Sequence, residues 1–369
     1  MKKPVPSRSV LILGGAGFIG SNWASCLIQN TDADVHVFDN LSRPKVEHNL
    51  RWLKKLAAGT ERLRVTIGDV RDPEAVKRAV FAANEIYHFA AQVAVTSSVS
   101  NPRTDFEINA GGTLNVLEAA RQSSQRPFLL FTSTNKVYGH LEPALGRPAN
   151  ALRHLCSERD CIPESQPLDF YSPYRCSKGT ADQYVHDYAR IFALPTVVFR
   201  MSCIAGPRQF GNEDQGWIAH FLYSALQDRT LSIYGDGKQV RDVLAVQDLV
   251  RAFEAAHQNR ESTAGQIYNV GGGANNTISL LELIDRIEKL FHKRVRYRYR
   301  PSRPGDQPVY ISNFSKLQQH VGWSPRITVQ ETIENIYGWW KQNRSLLAPA
   351  VVPMPLRKPP VEVIPEIAS

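Results

Sequence analysis

Residues 9–20 read SVLILGGAGFIG, an apolar run that is followed at once by a cluster of glycines. The run at 10–13 is typical of a buried strand, and the residues after Gly20 are typical of a helix. At such a junction Gly14 permits a tight turn, Gly17 lets the backbone reach a pyrophosphate, and Gly20 lets the helix pack closely. The helix N-terminus adds N–H donors and a partial positive charge. The stretch therefore predicts a dinucleotide site at the start of a parallel sheet.

A carboxylate at the end of the second apolar run strengthens this interpretation. Residues 35–38 lead into Asp39, nineteen residues after Gly20, where a carboxylate can accept hydrogen bonds from both hydroxyls of an adenosine ribose. Asp39 would also repel a 2′-phosphate, which favours NAD over NADP. Arg43 lies close enough in sequence to weaken that preference.

Further runs of the same kind alternate with helical patterns through the first half of the chain. They lie at residues 63–67, 86–89, 128–131 and 196–199. This order predicts an α/β protein with a Rossmann-type doubly wound parallel sheet. After Met201 the pattern becomes irregular and then gives a clear helix at 280–291, where Ser279 and Glu282 have capping-box spacing. We interpret this part as a smaller C-terminal α/β substrate domain.

The predicted domain boundaries follow from this change of pattern. An NAD-binding Rossmann domain takes residues 1–200, with a returning segment at about 240–272. A substrate-binding domain takes 201–239 and 273–346, and residues 347–369 form a proline-rich tail outside the core.

Composition narrows the class of protein and of partner. The 369 residues are 43% hydrophobic and 21% charged, which excludes collagen-like, coiled-coil and wholly disordered chains. Lys and Arg outnumber Asp and Glu by 44 to 35, so we expect an anionic partner, and nucleotides, nucleic acid and acidic membranes stay open. The five scattered cysteines indicate reduced thiols, and we expect no disulfide frame and no metal. No apolar stretch approaches the roughly 18 residues of a membrane span. We expect a soluble, cytoplasmic protein.

Two polar residues near predicted strand ends have two interpretations each. Asp69 follows the third run, where it can meet the adenine edge or cap the helix before Pro73. Asn109 begins another helix, either beside the cofactor or as a close-packed start. The stretch HFAAQVAVTSSVSNP at 88–102 is small and apolar where the chain would pass under a cofactor.

A tyrosine and a lysine four residues apart indicate proton transfer. Tyr174 and Lys178 lie just inside a predicted helix, and this spacing places both on one face, so the ammonium can lower the phenol pKa and hold a ribose. A tyrosinate beside a nicotinamide is a plausible general base for oxidising a sugar alcohol. Thr134, just after the fifth run, supplies a hydroxyl for the reacting oxygen. The apolar face of this helix is predicted at Ala181, Tyr184, Val185, Tyr188 and Phe192.

Together these features resemble the extended short-chain dehydrogenase/reductase family of nucleotide-sugar enzymes. The resemblance covers about residues 9–340 and implies a Rossmann domain with a smaller substrate domain. Within that family the chain is most similar to the branch that comprises the CDP-paratose 2-epimerases. The segments that carry this similarity are FDNLSR (38–43), NPRTDFEINAGGTLN (101–115), STNKVYGHLE (133–142), LDFYSPYRCSKGTADQYVHDYARIF (168–192), RQFGNEDQGW (208–217) and GKQVRDVL (237–244).

The resemblance implies Thr134, Tyr174 and Lys178 as catalytic residues, NAD as cofactor and a nucleotide sugar as substrate. The expected cofactor contacts are Gly14, Gly17, Phe18, Ile19, Gly20, Asp39, Asn40, Ser42, Arg43, Asp69, Val70, Phe89, Ala90, Ala91, Gln92, Asn109, Thr132, Tyr174, Lys178 and Met201. The expected substrate contacts are Gln92, Thr134, Asn135, Ser202, Arg208, Gln209, Gln215, Trp217, Arg241, Arg303 and Asp306. An arginine fork suits a diphosphate, and Asp306 can bind a ribose or orient Arg303.

The residues after Thr134 narrow the reaction. Dehydratases of the family place an Asp-Glu pair there, whereas this chain has Asn135 and Lys136. The missing carboxyl pair argues against water elimination and decarboxylation and leaves hydride chemistry. For the resembling branch this means inversion at carbon 2 of a CDP-linked dideoxyhexose, through a keto sugar. The alternatives are a 4-epimerase of a UDP- or other nucleotide-linked hexose, a net NAD(P)-dependent dehydrogenase or reductase, and a sensor of NAD or nucleotide sugars.

Two departures from the branch bear on the substrate. Ala205 stands where the branch has a tyrosine, and we expect it to enlarge or reshape the pocket beside the sugar. RPGDQ at 303–307 replaces RESDQ.

A basic segment and two helices determine which macromolecular partners we expect. HKRVRYRYRPSR at 292–303 is interpreted as an edge strand with Val295, Tyr297 and Tyr299 inward, so no nucleic-acid partner and no membrane partner are expected. The resemblance also implies a homodimer through the helices that begin near Gly112 and Tyr174.

Overall fold

A computed structural model describes residues 8–141, 150–154, 156–303 and 306–347 of the chain. All but the first residue of the predicted tail at 347–369 lies outside these residues. The strands are β1 (Ser9–Leu13), β2 (Asp34–Asp39), β3 (Leu63–Ile67), β4 (Glu85–His88), β5 (Phe128–Thr134), β6 (Cys161–Ile162), β7 (Thr196–Met201), β8 (Cys203–Ala205), β9 (Leu231–Tyr234), β10 (Val240–Ala245), β11 (Gln266–Val270), β12 (Thr277–Ser279), β13 (Tyr297–Arg300) and β14 (Val309–Ser312). The helices are α1 (Phe18–Asn30), α2 (Val46–Leu56), α3 (Pro73–Val80), α4 (Val95–Ser100), α5 (Pro102–Phe106), α6 (Gly112–Gln122), α7 (Pro173–Phe192), α8 (Trp217–Leu226), α9 (Val246–Gln258), α10 (Arg260–Thr263), α11 (Leu280–Phe291), α12 (Ser315–Val321) and α13 (Val329–Gln342).

Seven strands form a parallel sheet in the order β11-β7-β5-β4-β1-β2-β3. Strand β1 is almost entirely apolar because helices cover both faces of the sheet, and its residues Val10, Leu11, Ile12 and Leu13 are all fully buried. The chain winds outward from β1 in one direction and from β4 in the other. The carboxyl ends of β1 and β4 therefore flank a switch point, where ligands bind in such sheets.

A second group of strands faces this sheet. Four of them lie in the order β12-β10-β14-β6, β8 pairs with β10, and β13 pairs with β9 in a separate ribbon. Strands β8, β9, β10 and β12 share an apolar core with helices α8, α11 and α13. The predicted fold class, a doubly wound parallel sheet with a smaller α/β domain, is confirmed.

Local signals placed several elements correctly. All six predicted strands of the first half are present, and α11 begins at Leu280 behind the predicted capping box. Ser279 Oγ accepts a hydrogen bond from Glu282 N at 3.1 Å, and Glu282 Oε2 accepts one from Ser279 N at 2.9 Å. Among the described residues, no helix is both long enough and apolar enough to cross a membrane.

The predicted inward face of the 292–303 segment is only partly correct. Val295 is buried, but Tyr297 and Tyr299 of β13 are 42% and 55% exposed. The ribbon ends at β13, so no further layer covers these two rings on the described surface. Similarly, on α7 the side chains of Ala181, Val185 and Tyr188 are buried, whereas Tyr184 and Phe192 lie at the surface.

Candidate active site

A cleft of about 1210 Å³ lies at the carboxyl ends of the parallel strands. The second group of strands and its loops form the opposite wall, where the lining residues include Ser202, Cys203, Ile204, Tyr234, Arg241 and Asp306. Every residue predicted from the sequence as a cofactor, catalytic or substrate contact lines this cleft, except Asn109.

The turn between β1 and α1 needs glycine at two positions for measurable reasons. Gly14 has φ of 78°, and a Cβ there would lie 2.7 Å from the backbone nitrogen of Ala90. A Cβ on Gly20 would lie 2.4 Å from the carbonyl oxygen of Gly14. Gly17 caps α1 without a side-chain hydrogen bond, so the first-turn N–H groups have no side-chain acceptor at the cap. The cradle fits a pyrophosphate.

Asp39 is held at the end of β2 by backbone donors. Its two carboxylate oxygens accept hydrogen bonds from Ala16 N at 3.0 Å and from Leu41 N at 2.8 Å. Burial raises the pKa of Asp39, while these backbone donors and Arg43 oppose the rise. The carboxylate lines the cleft. Its spacing after the glycine motif is the one expected of an acidic residue that binds the adenosine ribose.

Asp69 does not cap the following helix, so that interpretation is wrong. The N-cap of α3 is Asp72, whose side chain accepts hydrogen bonds from Glu74 N and Ala75 N. Asp69 instead lines the cleft, receives two hydrogen bonds from the Arg71 guanidinium at 3.0 and 2.8 Å, and receives one from Asn40 at 3.0 Å. The guanidinium holds the pKa of Asp69 well below its usual value.

Tyr174 lies at the start of α7, where Ser172 caps the helix and Pro173 begins it. The side chain is buried, and burial raises the pKa of its phenol to about 12. A hydrogen bond with Thr134 acts in the opposite direction, as do the charges of Arg43 and Arg175. The structure therefore brings Thr134, from the end of β5, to Tyr174 as predicted.

Lys178 does not act on the phenol in the way that the sequence suggests. Its ammonium donates to the carbonyl oxygen of Thr132 at 2.7 Å and lies 4.1 Å from the centre of the Phe131 ring. Burial lowers the pKa of Lys178 to about 7, and the carboxylates of Asp182 and Asp105 partly offset this. The cations that lower the pKa of Tyr174 are instead two arginines.

Asn109 lies behind the cleft wall and supports it. Its amide oxygen accepts from Gln92 N at 2.9 Å, and its amide nitrogen donates to Ser177 Oγ at 3.0 Å and to Asp105 at 3.2 Å. These bonds join the segment that follows β4 to the helix of Tyr174. Asn109 is closely packed, but it does not begin a helix as predicted, because it lies in a π-helical turn, Glu107–Gly111, between α5 and α6.

The predicted substrate arginines divide into separate groups. Arg241 donates to Asp306 at 2.8 Å, so Asp306 orients Arg241 rather than Arg303. Arg303 stacks 3.8 Å from the Tyr234 ring centre and lies 3.4 Å from Asp214. The Arg303–Asp214 pair joins the segment after β13 to the loop before α8. The Arg241–Asp306 pair joins β10 to the segment before β14, also beside the cleft.

Arg208 lies in a third position, against aromatic rings. Its guanidinium is 3.4 Å from the Trp52 ring centre and 5.6 Å from that of Trp339. Burial lowers the pKa of Arg208 to about 10. Trp217 also lines the cleft, where its indole N–H donates to Cys203 Sγ at 3.5 Å.

Ala205 does not itself line the cleft, and the expectation that it enlarges or reshapes the pocket beside the sugar stays a prediction. It is buried in β8, opposite Ala245 of β10, and the cleft is lined by its neighbours Cys203 and Ile204 instead. A substitution at this position changes the packing of the apolar core that β8 and β10 share with α8, α11 and α13.

Two cleft features escaped the sequence analysis. Arg43 donates to Gln215 at 2.6 Å, which joins the loop after β2 to the loop before α8 across 172 residues. Lys136, noted in the sequence only for the acid that it replaces, lies 3.7 Å from Asp306. No local pattern marks either contact, since each depends on two distant segments.

A family model described as GDP-mannose 4,6 dehydratase matches residues 11–336. The chain belongs to this family of extended short-chain dehydrogenases/reductases. The family membership inferred from the sequence is thereby confirmed.

Among its relatives in this family, the chain is similar to CDP-paratose 2-epimerase of Salmonella typhi, with 41% identity over 338 residues that cover 89% of this chain and 98% of that protein. The solved UDP-glucose 4-epimerase of Thermus thermophilus, in complex with NAD, is 31% identical with a TM-score of 0.74 and covers 90% of this chain and 99% of that chain. The UDP-glucuronic acid 4-epimerase of Bacillus cereus, in complex with UDP-glucuronic acid and NAD, is 25% identical with a TM-score of 0.77 and covers 91% and 99%.

Proposed function

We propose that the protein is an NAD-dependent nucleotide-sugar epimerase. The observation that carries this proposal is one cleft lined both by the glycine turn with Asp39 and by Tyr174 with Thr134. The first pair of features suits a dinucleotide, and the second suits proton transfer at a sugar hydroxyl.

In this mechanism each group of the chain has a defined task. The N–H groups at the start of α1 bind the cofactor diphosphate, and Asp39 accepts from the adenosine ribose. Lys178 binds the second ribose, Thr134 holds the reacting oxygen, and Tyr174 removes its proton and later returns one. Held by these residues, NAD⁺ would supply the acceptor, and its reduced form the donor, for transfer of a hydride from the sugar carbon and back to its other face. The cofactor is thus regenerated.

The residues beside Thr134 favour epimerisation over elimination. The turn after β5 carries Asn135 and Lys136 at the two positions where dehydratases of the family have an Asp-Glu pair. Elimination of water needs groups that protonate one carbon and deprotonate another. Hydride transfer out and back needs only the proposed base and the cofactor.

The finer proposal is inversion at carbon 2 of a CDP-linked dideoxyhexose, of the CDP-paratose to CDP-tyvelose type. It is supported by the 41% identity to CDP-paratose 2-epimerase over nearly the whole of that protein. The second candidate is 4-epimerisation of a UDP-sugar, which the similarity to two solved 4-epimerases favours.

The test is to incubate the protein and NAD⁺ with CDP-, UDP-, GDP- and dTDP-sugars in deuterium oxide and to follow the sugar protons by NMR. We expect inversion at one carbon without deuterium at that carbon, and Tyr174→Phe should lower the rate by about 100-fold or more. Net accumulation of NADH would indicate a dehydrogenase. Deuterium at the inverted carbon, or binding without turnover, would contradict the proposal.

We further propose a homodimer formed through α6 and α7. Large apolar side chains are exposed on this part of the surface, where a soluble monomer rarely gathers them. They are Val99, Phe106, Leu114, Tyr184, Ile191 and Phe192. The five cysteines, all of which the structure describes, form no disulfide, which supports the proposed cytoplasmic location.

A further inference from the structure

Lys136 is fixed one turn away from the proposed proton-transfer groups. It lies in the short helical turn Asn135–Tyr138 that follows β5. Its backbone N–H donates to Thr134 Oγ1 at 3.2 Å, and the same hydroxyl is hydrogen bonded with Tyr174. The direction in which the Lys136 side chain leaves the backbone is thus tied to the position of the catalytic hydroxyl.

The Lys136 ammonium lies in the cleft with little of its charge compensated. Its Nζ is 3.7 Å from Asp306 Oδ1, and that oxygen already accepts from Arg241 at 2.8 Å. Among the described residues, the ammonium makes no hydrogen bond, although its side chain is only 23% exposed. An acceptor oxygen of a bound ligand would give this ammonium the hydrogen-bond partner that it lacks among the described residues.

The groups that face Lys136 come from four elements. They are Arg241 of β10, Arg175 of α7, Cys203 of β8 and Asp306 of the segment before β14. Burial, together with the charges of Arg241 and Arg175, lowers the pKa of Lys136 to about 8, while Asp306 opposes this change. The amine is still mostly protonated at neutral pH and is therefore a donor there.

We propose that Lys136 binds the hexose of the nucleotide sugar, donating a hydrogen bond to a sugar hydroxyl oxygen. This inference rests on the proposed function and deepens it. The contacts run in the order Tyr174, Thr134, Lys136, Asp306, Arg241. A substrate whose diphosphate lies at Arg241 and whose reacting hydroxyl lies at Tyr174 places its hexose along the side chain of Lys136.

The test compares two probes, CDP and CDP-glucose, on protein saturated with NAD⁺ and carrying Tyr174→Phe to prevent turnover. Adding Lys136→Met should weaken CDP-glucose about 10- to 100-fold, the effect of one charge-assisted hydrogen bond, and should change the Kd of CDP less than about threefold. Lys136→Arg should restore part of the loss. Lys289→Met, which removes an exposed charge on α11, is the control and should change neither Kd.

A second readout separates this role from a structural one. In the parent, the preference for CDP-glucose over CDP should fall as pH rises through about 8, and Lys136→Met should abolish that dependence. An equal loss for both probes would assign Lys136 to the diphosphate and overturn the inference, as would an unchanged Kd for CDP-glucose. Wild-type protein that turns over no sugar in the NMR test would remove the proposed function itself. A Tyr174→Phe parent that binds CDP-glucose no better than CDP would remove only the inference.

Discussion

At position 20, the space that a side chain would occupy is filled by the turn that precedes α1. The Cβ of an alanine would approach the Gly14 oxygen to 2.4 Å and the Gly15 Cα to 2.7 Å. Both obstacles are backbone atoms, so they cannot move aside without opening the turn that we propose binds the diphosphate.

We therefore expect Gly20→Ala to lower the free energy of unfolding by about 2 kcal/mol and to weaken NAD binding more than tenfold. Urea denaturation and calorimetry measure the two effects. Gly338→Ala is the matched control, since a Cβ there meets nothing within 4 Å. It lies inside α13 and should gain about 0.5–1 kcal/mol. Equal stability of the two variants would contradict the steric explanation.

The ionisation of Tyr174 gives a second prediction at this scale. Without cofactor, burial raises the pKa of Tyr174 to about 12, so its phenol stays protonated at pH values where an exposed tyrosine ionises. A positively charged nicotinamide ring beside it favours the tyrosinate and lowers this pKa.

At about pH 10, where a free tyrosine is half ionised, the ultraviolet difference between wild type and Tyr174→Phe should show no tyrosinate from Tyr174. Adding NAD⁺ should produce that signal, whereas NADH, whose ring is neutral, should not. A tyrosinate signal that is equal with and without NAD⁺ would contradict this assignment.

At the scale of elements, a buried ion pair joins α7 to β7. Arg200 donates to both oxygens of Asp182 at 2.9 and 2.8 Å, and to Tyr138 Oη at 3.2 Å. Both charged side chains are almost fully buried. Burial alone would lower the pKa of Arg200, but the bonds to Asp182 raise it above its usual value.

Asp182→Asn should therefore lower the free energy of unfolding by about 3–5 kcal/mol, because it leaves a buried guanidinium without its counter-charge. Chemical denaturation at neutral pH measures this loss. Asp187→Asn removes the carboxylate of an exposed pair on the same helix and should cost less than about 1 kcal/mol. Similar losses of unfolding free energy for both variants would show that the buried ion pair stabilises the protein no more than the exposed pair does.

Elements were predictable where their determinants are close in sequence. The capping box at Ser279 and the strand–glycine–helix junction each lie within a dozen residues, so the sequence located them correctly. The alternation of tyrosine and arginine along β13 is equally local in sequence, but it shows only which side chains share a face of the strand. Which face is covered depends on the neighbouring layer, and this is why Tyr297 and Tyr299 were assigned to the wrong environment.

The candidate site shows the same limit. All but one of the residues that the sequence predicted for the site line the cleft, because the carboxyl ends of parallel strands meet at one edge, but many other cleft residues were not predicted. The sequence did not identify the partners of each side chain. The bond of Arg43 to Gln215 and the stacking of Arg208 on Trp52 depend on how the second group of strands rests against the first.

At the scale of the whole molecule, the exposed apolar surface of α6 and α7 gives a test of assembly. Leu114 and Tyr184 are 38% and 47% exposed, and a negative charge at each would be buried unpaired in the proposed interface. The double variant Leu114→Glu, Tyr184→Glu should therefore change a dimer into a monomer in light scattering. Tyr299→Glu, equally exposed on β13, should leave the dimer intact. A wild-type monomer would refute the dimer outright.

The order of strands in the parallel sheet has a consequence for how the protein is made. Its outer strand β11 pairs with β7, yet β8, β9 and β10, which belong to the facing wall, come between them in the chain. A nascent chain therefore exposes an open strand edge at β7 until residues 266–270 have left the ribosome. During that interval the open edge of β7 can pair with a strand of another unfinished chain.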